Sequence, residues 1–109
     1  MTLYKPGDVV LVRFPFTSGA ETKLRPALVI LDTGDADLLV ARITTQSSLT
    51  PFDVAVIEWR GAGLLAPSNA RLHKLATLEK ADIHRTLGHL QTADRQSVAV
   101  VLRRMFDQW

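Results

Sequence analysis

Apolar positions fall into short strand-length runs over most of the chain and into a helical stripe at its end. Residues 9–14 read Val-Val-Leu-Val-Arg-Phe, a β-rich run after the turn pair Pro6-Gly7. A polar loop over 14–23, punctuated by Pro15 and Gly19, leads to a second run at 26–31. Asp32-Thr-Gly-Asp-Ala-Asp37 has the composition of a hairpin turn. Further strands are predicted at 38–43, 53–58 and 70–78, the last alternating less cleanly around Leu72 and Leu78. Residues 79–84 suggest a single helical turn, ended by Gly88. The closing segment predicts a helix, with Thr92 as N-cap and Asp94 in the first turn. Its Val98, Val101, Leu102 and Met105 recur at i, i+3, i+4 and i+7. The fold class that follows is mainly β with minor α: a small barrel with one C-terminal helix packed on it.

Size and composition narrow this picture. The 109 residues, 47% hydrophobic, predict one domain over 1–109 with a core of its own. The chain has no cysteine, so disulfides, thiolate metal sites and a thiol nucleophile are excluded. The first residues lack the apolar region of a signal peptide, and no run approaches the roughly 18 residues of a membrane span. The expectation is a cytoplasmic protein with no membrane partner. Thirteen Lys and Arg stand against eleven Asp and Glu, a formal charge of only +2. Distribution matters more than this sum. Arg60, Arg71, Lys74, Lys80 and Arg85, with His73 and His84, crowd one stretch of sequence. They form either a mixed solvated face or a basic groove that tracks an RNA or DNA backbone.

Two runs carry the candidate chemistry. Lys23-Leu-Arg-Pro-Ala-Leu-Val-Ile30 opens near Arg25, a fixed fork of charged donors suited to phosphate. Val40-Ala-Arg-Ile-Thr-Thr-Gln46 carries Thr44, a hydroxyl that donates and accepts. Alternation places Val40, Arg42 and Thr44 on one strand face. An arginine on a strand face points away from a core, so Arg42 and Thr44 look out together. That face is either ordinary exposed sheet or part of a phosphate groove. Other signals read more plainly. Asp32, Asp35 and Asp37 lack the ligand order of a calcium loop. His73, His84 and His89 share no ligand spacing and read as surface or groove histidines. Trp59, Phe106 and Trp109 can stack bases, but the last two better suit sealing the helix to the barrel or to a second subunit.

These residues resemble the MazF/PemK toxins of bacterial toxin–antitoxin systems. Gly7-Asp-Val-Val-Leu-Val-Arg-Phe-Pro15 looks like the family's opening strand, and Arg25-Pro-Ala-Leu-Val-Ile30 like its second. Ile43-Thr-Thr-Gln46 and Pro51-Phe-Asp-Val-Ala-Val56 look like its third and fourth. Gly63-Leu, Ser68, Lys74-Leu-Ala-Thr-Leu78 and Leu87-Gly-His-Leu90 resemble its later half. The loop before Arg25 departs from the pattern: it reads Gly19-Ala-Glu-Thr22 and its spacing to Arg25 is one residue shorter, with Glu21 the match to the family's loop glutamate. Arg42 stands where relatives often carry proline or a small residue.

The resemblance implies an SH3-like barrel of the MazF/CcdB type, acting as a homodimeric toxin that cleaves single-stranded RNA without metal or other cofactor. Arg25 and Thr44 match the catalytic pair. Glu21, Lys23, Arg42, Gln46 and Ser47 are the expected RNA contacts, on the loop over 17–24 and around the end of the third strand. A cognate antitoxin with an acidic tail would compete for that groove. Two alternatives remain at this point: a gyrase-poisoning toxin of related fold that relies on Trp109 and its neighbours, and a non-catalytic RNA-binding barrel.

Overall fold

A computed structural model describes residues 2–14, 23–47 and 50–109, apart from the Phe14 side chain. Six strands, β1 (Asp8–Phe14), β2 (Lys23–Asp32), β3 (Asp37–Thr44), β4 (Asp53–Val56), β5 (Ser68–Glu79) and β6 (Ile83–His89), precede helix α1 (Thr92–Met105). They form one sheet in the order β4-β5-β3-β2-β1-β6, and every paired neighbour is antiparallel. The predicted mainly β fold with a C-terminal helix is therefore observed.

Alternation gives the sheet two unlike faces. One carries Val9, Leu28, Ala41, Ile43, Ala70 and Leu72, buried in a core completed by Val98 of α1. Val101, Leu102 and Met105, the rest of the predicted helical stripe, pack against the same core. The other face is apolar for only part of its extent, through Val10, Val12, Ala27, Val29, Leu38, Val40 and Leu78. Central strands that carry valines on both faces, as Val9-Val10 and Val12 do, follow from burial on both sides.

Four local expectations need correction. The helical turn predicted over 79–84 is shorter than expected: a 3-10 turn spans Lys80–Asp82, and β6 begins at Ile83. This end strand has water on one side and few apolar residues, so its sequence lacks a strand signature. Gly88 lies within β6 rather than ending the segment. Its missing Cβ lets the backbone of Ala62 and Gly63 cross closely: a Cβ there would stand 2.7 Å from the Ala62 carbonyl oxygen. Strand β4 stops at Val56 rather than at Glu58, because the buried Asp94 carboxylate accepts the N–H groups of Ile57 at 3.1 Å and Glu58 at 2.8 Å. Thr92 is the first helical residue, and Gln91 occupies the N-cap position without a capping side-chain hydrogen bond. The uneven alternation of β5 has its cause in a register shift, its partner on β3 passing from Ala41↔Leu75 to Arg42↔Arg71.

The aspartate-rich turn is a solvated hairpin that also ties down the N-terminal segment. Asp32 accepts from Tyr4 N–H at 2.7 Å and Gly34 N–H at 2.8 Å, and pairs with Lys80 Nζ at 2.9 Å. The Tyr4 N–H, then Lys80 and Gly34, hold its carboxyl at about 2, below the ordinary 3.8. A depressed folded-state value means that the ionised form stabilises the fold. That contribution is complete above about pH 3.8 and is lost as pH falls through about 2. We expect Asp32→Asn to lower stability in urea denaturation at pH 7, with the gap to the parent chain closing toward pH 2. A gap of the same size at both pH values would refute the assignment.

Candidate active site

Backbone pairing decides which polar side chains share a surface. Strands β2 and β3 pair through Ala27↔Arg42, Leu28↔Ala41 and Val29↔Val40. The ladder stops at Pro26, which has no N–H to give. Carried two residues further, the same alignment sets Arg25 opposite Thr44. Thr44 itself pairs with Asn69 of β5, and Arg42 with Arg71. Asp53 of β4 pairs with Arg71, and Ala55 with Asn69. Arg25, Arg42, Thr44, Asn69, Arg71 and Asp53 thus share the face of Val29 and Val40, beyond the end of its apolar half. Arg25 and Arg42 are exposed and Thr44 is half-buried.

The hydrogen bonds at this surface leave a usable donor. Thr44 Oγ1 accepts from Gln46 N–H at 3.2 Å. A hydroxyl has one proton and two lone pairs, so this bond leaves its O–H proton available to a substrate oxygen. The Gln46 carbonyl accepts from Asn69 Nδ2 at 2.7 Å, which fastens the turn after β3 to β5. Arg42 and Arg71, like charges directly opposite each other, repel. Asp53 offsets half of that by binding Arg71 Nε at 3.3 Å, with side-chain exposures of 15% for Arg71 and 1% for Asp53. An anion beside the arginines would offset more of it, and a phosphodiester carries that charge.

The other expected contacts divide. Lys23 lies on the same side of β2 as Arg25, two residues nearer the strand's start, and is exposed. Gln46 and Ser47 are exposed beside Thr44, and Ser47 also lines a hollow of about 460 Å³ with Thr45, Ala55, Trp59 and Asn69. Glu21 and most of the loop over 17–24 lie outside the described residues. Sequence reasoning singled out neither Asn69 nor Asp53, and counted Arg71 only among the basic cluster. The spacing Asn69, Arg71, His73, polar at every second position of a strand, was the available signal.

The cluster around Arg71 is not one groove. Arg60 stacks over Trp59 at 4.3 Å, Arg71 pairs with Asp53, Lys80 pairs with Asp32, and Arg85 is on the opposite face. His73 packs on Phe52 with ring centroids 5.9 Å apart, and its Nδ1 is 4.0 Å from Asp53 Oδ1. His84 and His89 are exposed on β6. Among the described residues no three His, Cys, Asp or Glu converge as a metal site. Phe106 and Trp109 are exposed, so they do not seal α1 to the sheet.

Fold and site together define a small antiparallel-sheet protein with a terminal helix and one arginine-bearing face. Residues 5–106 match the family described as PemK-like, MazF-like toxin of type II toxin–antitoxin system, and the chain belongs to that family. Solved structures agree on the fold. Toxin MazF-mt6 of Mycobacterium tuberculosis superposes with a TM-score of 0.74 at 22% identity, covering 92% of this chain and 96% of that one. A mycobacterial endoribonuclease, solved in complex with its cognate antitoxin, gives 0.76 at 18% identity, covering 96% of each chain. MazF from Deinococcus radiodurans gives 0.73 at 17%, covering 98% and 99%. No curated protein sequence matches the chain.

Proposed function

We propose that this single-domain protein is a sequence-selective, metal-independent endoribonuclease, an mRNA interferase that cuts single-stranded RNA as a homodimeric toxin in the cytoplasm and is restrained by a cognate antitoxin. What carries this reading is that strand alternation assigns Arg25 and Thr44 to one sheet face, on which Arg42 pairs with Arg71 and Thr44 with Asn69. Family membership and the antitoxin complex of the mycobacterial endoribonuclease support it.

In metal-free RNA cleavage the ribose 2′-oxygen loses its proton and attacks the adjacent phosphorus. The bond to the 5′-oxygen breaks, and that oxygen gains a proton. The products are a 2′,3′-cyclic phosphate and a 5′-hydroxyl. Charge builds on the non-bridging oxygens in between, and fixed donors aimed at that charge accelerate the step. Arg25 supplies a permanent cation with paired N–H donors. Its guanidinium resists deprotonation, so it stabilises charge rather than shuttling protons. The Thr44 hydroxyl, held from behind by Gln46 N–H, donates to a second oxygen. Arg42 and Lys23 extend the cationic track, and Gln46, Ser47 and Glu21 are the contacts proposed to read bases.

Purified protein incubated with mixed-sequence RNA in chelator should yield fragments with 2′,3′-cyclic phosphate and 5′-hydroxyl ends, clustered at one short motif on end sequencing. Thr44→Val keeps the shape and removes the donor, so the rate should fall roughly 100-fold. Intact RNA, or 3′-hydroxyl ends, would count against the reading.

A further inference from the structure

Beside the arginine face lies the hollow of about 460 Å³ whose lining includes Thr45, Ser47, Ala55, Trp59 and Asn69. The cleavage chemistry does not use it. Asn69 pairs with Thr44 on one side and with Ala55 on the other. Neighbouring strands lie about 5 Å apart, so the hollow opens within one nucleotide's reach of the Thr44 hydroxyl. Its volume is that of a small-ligand site rather than a packing void.

The lining is chemically mixed. Trp59 contributes a half-buried indole, and the Arg60 guanidinium stands 4.3 Å from its ring centroid, a contact that pins the ring. The Ser68 hydroxyl is occupied by the Ala66 carbonyl at 2.8 Å. Those of Thr45 and Ser47 make no hydrogen bond among the described residues. Asn69 Nδ2 gives one hydrogen to the Gln46 carbonyl at 2.7 Å. That acceptor fixes which amide atom is the nitrogen, and it leaves a second N–H and the amide oxygen without a protein partner. A pinned aromatic ring offers a nucleobase a surface to stack on, and an unpaired amide reads the base's edge. A donor next to an acceptor matches an exocyclic amine next to an unprotonated ring nitrogen. Adenine and cytosine present that pair on their Watson–Crick edges; guanine and uracil do not.

We infer that this hollow is a base-reading subsite: it takes the base of a nucleotide flanking the scissile phosphate, stacks it on Trp59 and selects adenine or cytosine through Asn69. Placing that nucleotide beside the cut rests on the nuclease reading above. The base binding itself rests on the hollow.

The probes are pentanucleotides with 2′-fluoro sugars, which lack the attacking hydroxyl. One is all adenine, one all cytosine, one all uracil, and one carries unsubstituted purine, which is adenine without its amine. Fluorescence anisotropy should show the adenine or the cytosine oligomer binding about tenfold or more tighter than the uracil one, with the purine oligomer falling well below adenine. The tighter of the first two identifies the base. The chain has two tryptophans, so in a Trp109→Phe background the indole emission reports Trp59 alone, and the bound oligomer should quench it. Trp59→Leu should weaken binding about tenfold or more. Trp59 also packs on the core, so Ala55→Phe, at an exposed position that fills the hollow, serves as the second variant. It should bring the same loss at an unchanged urea midpoint. End sequencing of RNA cut by either variant should lose the base preference at one position of the motif and keep the rest.

Equal binding of the adenine, cytosine and uracil oligomers overturns the subsite, as does an unaltered motif for Ala55→Phe. Purine bound as tightly as adenine overturns the reading by Asn69. Trp59 emission that becomes shielded from acrylamide as the chain dimerises would mean that a second copy covers the hollow, and that too overturns it. Should the chain cut no RNA, the nuclease reading falls together with the placement beside the cut, and the anisotropy still decides whether the hollow binds a base.

Discussion

Arg25→Ala should reduce RNA cleavage by roughly 100- to 1,000-fold, the usual cost of deleting one preorganised charge-stabilising donor. The side chain is exposed at the start of β2, so the fold should survive and the urea midpoint should stay within about 0.5 kcal/mol of the parent chain. Arg25→Lys should recover little. An ammonium keeps the charge but lacks the paired planar donors that meet two phosphoryl oxygens at once. Growth arrest on expression should disappear with the nuclease activity. Persistent arrest by Arg25→Ala would instead favour a gyrase-directed toxin, and attention would move to the exposed Phe106 and Trp109 at the end of α1.

The largest stability effect should come from Asp94, far from the proposed chemistry. Its carboxylate is buried and accepts two backbone N–H groups from the turn after β4. Asp94→Ala removes the acceptor of both donors and empties a buried position, at a cost of roughly 3 kcal/mol and a fall in melting temperature on the order of 10 °C. Asp94→Asn retains one acceptor oxygen and should lose less. Equal melting temperatures for Asp94→Ala and the parent chain would mean that water reaches this turn. The contact joins α1 to β4, and β4 holds Asp53 against Arg71, so Asp94→Ala should also loosen that side of the arginine face.

What could be read from the chain alone depended on how each element is buried. The strands around Val9, Leu28 and Val40 announce themselves because both of their faces are covered and their residues are uniformly β-preferring. The helix announces itself through Val98, Val101, Leu102 and Met105. Strand β6 does not, since an end strand with one wet side has no need of apolar alternation, and its Gly88 imitates a terminator. The juxtaposition of Arg25 and Thr44 was legible as a conjecture, because period two assigns a face to each. Arg71 and Asn69 were harder to see. Their place opposite Arg42 and Thr44 depends on a register shift within β5, and no local rule of sequence gives a shift between distant strands. Asp94 misled for a related reason. In sequence it is a first-turn acid suited to a helix dipole, whereas in space its oxygens serve a turn 37 residues earlier in the chain.

The proline after Arg25 has a consequence beyond stiffening its strand. Pro26 has no N–H to give to either neighbouring strand, and the pairing between β2 and β3 runs no further toward Arg25 than Ala27↔Arg42. Arg25 and Thr44 thus stand where the pairing of the two innermost strands has ended, a place where their donors can face a substrate without a backbone ladder between them.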